Sequence, residues 1–118
     1  MNVVERSLYF DRQGNPIDMW ECNRLLMDDE YRVVERTEIP FKSGSDETLI
    51  VIVVSTVWMG INHAWRYDWP PQIFETQVFG GPDTGEIYRY STEEEAHLGH
   101  SGVVEMQYLK IAQARRGN

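Results

Sequence analysis

The run LIVIVVSTVWMGI, residues 49–61, limits what this chain can fold into more than any other feature. Read with the two-residue period of a strand, Leu49, Val51, Val53, Ser55 and Val57 fall on one face. Ile50, Ile52, Val54, Thr56 and Trp58 fall on the other. Both faces are apolar, so residues 49–59 predict a central strand covered on both sides rather than a half-solvated one. The run is interrupted by Ser55 and Thr56 and is shorter than the ~20 apolar residues that span a bilayer. In 118 residues, cover for two faces calls for helices on one side. On the other side it calls for the amino-terminal segment or a second subunit, which makes a homodimer one expectation.

The flanking sequence supplies the remaining elements. Residues 6–11 read as a short strand, ended by the turn residues Gln13, Gly14, Asn15 and Pro16. Asp18 is suited to cap a helix over residues 19–27, because a carboxylate there can accept from free amides of the first turn. Residues 31–39 read as a strand closed by Pro40, which has no amide to donate, and residues 42–46 as an exposed hairpin loop. Residues 73–79 and 87–91 read as two strands joined through the glycine-rich turn 80–85. Ser91 or Thr92, with Glu94 or Glu95 three residues on, forms a capping-box pattern for a helix over residues 92–114. That helix would turn Ala96, His100, Val103, Val104, Tyr108 and Ile111 toward the sheet. The expected fold class is α+β, one domain over residues 1–118. It consists of an antiparallel meander of four to five strands with a short amino-terminal and a long carboxyl-terminal helix packed on it.

Charge and cysteine usage narrow the function classes. Eleven Lys and Arg against nineteen Asp and Glu give 11 − 19 = −8, which repels a phosphate backbone and argues against direct nucleic-acid binding. The lone Cys22 cannot pair within the chain, and the amino terminus carries Glu5 and Arg6 where an export signal would be apolar. The reading is a reducing, cytoplasmic setting with no membrane association.

The strings VSTVWMG at residues 54–60 with His63, IFET at 73–76 with VFGG at 78–81, and RYSTEEEA at 89–96 with Gly99 and His100 together resemble a group of small uncharacterised proteins. That group is carried by bacteriophages and their bacterial hosts. The similarity continues upstream through YFDRQGNPI at residues 9–17 and YRVV at 31–34. The resemblance implies a phage-type or prophage-type accessory protein in the bacterial cytoplasm, and it implies no activity, cofactor or catalytic residue. Two segments depart from the pattern: residues 42–52 form an enlarged hairpin, and residues 64–69 are aromatic where Gly and Ser are more familiar.

Several side-chain groupings carry chemistry in principle. His97 and His100 share a helical side, and His63 or Glu75 would complete a metal site, but no Cys ligand or HExxH string supports one, and no metal or other cofactor is expected. Glu75 has a catalytic reading as a general base and a simpler one as the cross-strand partner of Arg89. Ser55, Thr56 and Cys22 lack the setting that activates a nucleophile, and the glycines follow no phosphate-loop order. The acidic triplets 28–30 and 93–95 could imitate phosphates, though such runs are more often solvated faces or helix-start charges. The segment carrying Trp65, Tyr67 and Trp69 ahead of Pro70 and Pro71 is the leading functional candidate, as a protein-binding loop. Its competing reading is that the rings cover an open side of the sheet.

Three functions follow. The first is a non-enzymatic accessory protein that binds, and on binding inhibits, a host or phage protein through Trp65, Tyr67 and Trp69. The second is a small-ligand binder or enzyme with His63, Glu75, Arg89 and His100 converging at one end of the sheet. The third is a structural homo-oligomer.

Overall fold

The computed structural model describes residues 7–43 and 48–116, and most of the expected hairpin loop, residues 44–46, therefore lies outside the described residues. In chain order the elements are α1 (Met19–Leu26), α2 (Asp29–Arg32), β1 (Val33–Ser43), β2 (Thr48–Trp58), β3 (Phe74–Phe79), β4 (Ile87–Tyr90) and α3 (Glu93–Arg116). The strands form one antiparallel sheet in the order β1-β2-β3-β4, and α3 packs across all four. The fold is α+β, as the hydrophobic periodicities predict.

Local chemistry starts each helix. Asp18 caps α1 by accepting from the Glu21 amide at 2.8 Å. At α3, the Glu95 amide donates to Thr92 Oγ1 at 3.1 Å while the Glu95 carboxylate accepts from the Ser91 amide at 3.2 Å, a reciprocal capping box. Asp28 caps α2 in the same manner, an element the sequence reading merged into the following strand.

Three expectations are corrected. Of the strand expected over residues 6–11, the described part, 7–11, makes none; Tyr9 and Phe10 form only isolated bridges, to Ile61 and Pro16. β1 does not stop at Pro40 but runs on to Ser43, with Pro40 opposite Val51. β1 is the outer strand of the sheet, where a residue lacking an amide is tolerated. β2 has a strand on either side, but only one of its faces is buried. Ile52, Val54, Thr56 and Trp58 lie under the helices, while Leu49 and Val51 of the alternate set are exposed.

The covered face carries two apolar clusters. One gathers Cys22, Leu25, Trp58, Ile73, Phe74 and Ala96, with Tyr9, Phe10 and Tyr31 against it. Trp58 is fully buried, its indole NH donates to the Phe10 carbonyl at 2.9 Å, and Tyr31 meets its ring edge-on at 5.0 Å. Removing a ring of this size from water contributes roughly 5 kcal/mol before entropy is subtracted. The amino-terminal segment is thus spent on closing the Trp58 end of the covered face. The second cluster joins Ile39, Ile52, Val54 and Val78 to Val103 of α3. Of the residues expected to turn inward from α3, Tyr108 is exposed and Gln107 is buried in its place. Asp83 in the β3–β4 turn supplies the reason, accepting from Gln107 Nε2 at 2.9 Å and from Lys110 Nζ at 2.7 and 2.8 Å.

Candidate functional site

Between β2 and β3 the chain leaves the sheet at Gly60 and returns at Ile73. The neck of this excursion is held by Asn62, whose side-chain oxygen accepts from the Ala64 amide at 2.8 Å and the Gln72 amide at 2.9 Å. The His63 amide donates across the neck to the Gln72 carbonyl at 2.9 Å, and the Asn62 amide donates to Leu8 at 2.9 Å. The loop is therefore closed on itself and pinned to the amino-terminal segment, and Pro70 and Pro71 stiffen its return.

The aromatic rings stand on that base. Trp65 is 84% exposed and Tyr67 74%, while Trp69 is 38% exposed. Trp65 and Trp69 meet edge-to-face at 5.5 Å, and the Arg66 guanidinium lies 5.5 Å from the centre of the Trp69 ring while pairing with Asp68 at 2.8 and 3.0 Å. The three rings edge a cleft of about 450 Å³ completed by Leu8, Phe10, Asn62, Ala64 and Pro71. Of the two readings open for this loop, cover for the sheet or an exposed surface, the second fits Trp65 and Tyr67, whose rings stand largely in solvent, while Trp69 is mostly covered. Asn62, Leu8 and Phe10 were not singled out from sequence. An Asn preceding an irregular aromatic stretch is the one signal from which the neck was readable.

The alternative cluster is not brought together. Glu75 and Arg89 are opposite one another on β3 and β4, with Arg89 Nε 3.2 Å from the Glu75 carboxylate, and they share the outer face with Val57. His100 lies beneath the opposite, helix-covered face, and His63 belongs to the neck of the aromatic loop. The Glu75–Arg89 contact is an ordinary cross-strand ion pair.

His100 is buried and held by hydroxyls on both ring nitrogens. Nε2 is 2.8 Å from Thr37 Oγ1 and Nδ1 is 2.7 Å from Thr56 Oγ1, and Thr56 continues the chain to Thr76. Burial lowers its pKa, keeping the ring neutral. With both nitrogens occupied, His100 has no lone pair to offer a substrate or a metal. His97 diverges from it to contact Glu35 at 3.0 Å. Among the described residues no three His, Cys, Asp or Glu side chains are placed to hold a metal ion.

The remaining candidates have structural work. Cys22 is buried against Gly60, and burial pushes its thiol pKa up, away from the reactive thiolate. Asp28 caps α2, Asp29 pairs with Arg32 at 3.1 Å, Glu93 pairs with Arg12, and Glu95 closes the α3 cap. The acidic triplets are thus used at helix starts. Among the described residues no helix is long and apolar enough to cross a membrane. In comparisons with known proteins, the chain matches no protein-family model, no curated protein and no solved structure.

Proposed function

We propose that this chain is a phage-type accessory protein of the bacterial cytoplasm. On this reading it works by binding a host or phage protein, and inhibiting it, through Trp65, Tyr67 and Trp69. One observation carries the reading: large rings are presented around a cleft by a loop whose neck is hydrogen-bonded shut. Rings held in place before contact lose little freedom on binding, which is why Trp and Tyr dominate protein–protein hot spots. The net charge of −8 favours a partner with a basic rim around the aromatic contact. The phage context comes from the resemblance of the sequence strings, not from the geometry. The ligand-binding or enzymatic alternative is not carried forward, because Glu75 and Arg89 face away from the sheet side that holds His100, and His63 belongs to the loop neck.

The test is affinity capture from a bacterial host lysate with the tagged chain, followed by titration of the captured partner. Trp65→Ala and Trp69→Ala should each weaken that partner by about 30-fold or more, the effect of a hot-spot side chain, while circular dichroism and melting stay unchanged. A partner held equally well by the double variant would rule out this surface.

A further inference from the structure

The outer face of the sheet is composed for contact rather than for water. Strand register puts Leu49, Val51, Val53 and Val57 of β2, Phe79 of β3 and Ile87 of β4 on that face. Leu49 is 64% exposed, and Val51, Phe79 and Ile87 are each more than 40% exposed. An antiparallel sheet with one wet face normally alternates apolar and polar residues, and β2 does not: apart from Ser55, its outward positions from Leu49 to Val57 are apolar.

The charges on this face single out its occupant. Arg36, Lys42 and Arg89 stand against Glu38 and Glu75, a local balance of 3 − 2 = +1 on a chain of net −8. Four of the five are already matched, Arg36 with Glu38 and Arg89 with Glu75. Two copies of so acidic a chain repel one another over the rest of their surfaces, so a face that is apolar along β2 and carries almost no net charge is where they can meet. Strands of 11, 11, 6 and 4 residues, spaced ~4.8 Å apart at ~3.4 Å per residue, make a projected area of roughly 520 Å², or about 1,000 Å² over two partners, the lower bound for a specific interface. Edge-to-edge growth of the sheet is the competing way to pair, and the β1 edge opposes it with Pro40 and charged Glu35, Arg36 and Glu38.

We infer that a second copy of this chain seats on the outer sheet face, forming a two-fold homodimer in which the β2–β3 apolar faces stack as a sandwich. The inference is independent of the aromatic loop, which lies elsewhere and would be presented twice by the dimer.

Sedimentation velocity on the full chain across roughly 1–100 µM reads it directly. The expected species has twice the 13.8 kDa chain mass, and Val53→Glu with Phe79→Glu should weaken the dimer by at least about 100-fold. If that pair unfolds the chain, Leu49→Lys and Ile87→Lys, at exposed positions of the same face, serve instead with the same expected outcome. Trp65→Ala should leave the dimer intact. A wild-type chain that stays monomeric through 100 µM overturns the inference, and so does a dimer unaffected by the face variants.

Discussion

Gly99 and Gly102 stand three residues apart in α3, and the same substitution should move stability in opposite directions at the two. A methyl at Gly102 meets nothing within 4 Å, so Gly102→Ala collects the helix-propensity gain of ~1 kcal/mol. A methyl at Gly99 would lie 2.2–2.3 Å from Cε1, Cζ and the hydroxyl of Tyr90. Tyr90 ends β4 and packs against the Trp58 cluster, so the ring cannot swing aside without opening that cluster. Overpacking of this kind costs about 1–3 kcal/mol, and a clash with three atoms of a ring packed in the core puts Gly99 in the upper part of that range, about 2–3 kcal/mol. Set against the same propensity gain, Gly99→Ala should lose about 1–2 kcal/mol, leaving the two variants about 2–3 kcal/mol apart. Urea unfolding followed by circular dichroism measures the difference, and melting temperatures should separate by roughly 10 °C. The cause is checked in a Tyr90→Ala background, where Gly99→Ala should become neutral or stabilising. Equal stability of the two glycine variants, or an undiminished loss once the Tyr90 ring is gone, would refute the packing argument.

Two further outcomes follow from buried polar contacts. His100→Leu strips the Thr37 hydroxyl of its ring partner and leaves Thr56 with Thr76 alone, and should cost about 1–3 kcal/mol at pH 7.5. Because burial lowers the His100 pKa, the unfolded chain binds more protons below its ordinary value of 6.5, so wild-type stability falls as pH drops from there. The variant should lack that slope, and the gap measured by urea unfolding should narrow between pH 7.5 and 5.5. Asp83→Ala leaves the buried Gln107 amide without its acceptor and should cost about 1–2 kcal/mol. The Asp83 pKa is held down by its Lys110 and Gln107 hydrogen bonds. Its contribution is therefore present at neutral pH and lost on acidification below the carboxylate range, which acid unfolding of the two proteins would reveal.

What could be read from sequence was local. Asp18, Thr92 with Glu95, and the turn 80–85 each act on residues within a few positions, so their patterns survive in one dimension. Pro40 misled because its meaning depends on whether its strand has a neighbour on both sides, a property of the whole sheet. The outer face of β2 looked buried because its alternation is apolar, whereas the segment expected to cover it turns instead to Trp58. Gln107 displaced Tyr108 because Asp83, 24 residues earlier, offers it an acceptor. The separation of Glu75 from His100 was in principle legible. Glu75 alternates with Phe74 and Thr76, whose side chains lie on the His100 side, so strand parity alone puts them apart. The aromatic loop was legible in composition and not in shape, since its neck depends on hydrogen bonds from Asn62 to Gln72 and to Leu8.

The order of elements along the chain has a consequence for synthesis. Every strand precedes α3, so Ile52, Val54, Phe74 and Val78 leave the ribosome before the helix that shelters them exists. From the end of β4 at Tyr90 to the end of α3 at Arg116 there are 116 − 90 = 26 residues, about 1–5 s of translation. For that interval the part of the nascent sheet around Ile52, Val54 and Val78 is bare on both sides, and a chain halted short of α3 would be an adhesive fragment rather than a harmless one.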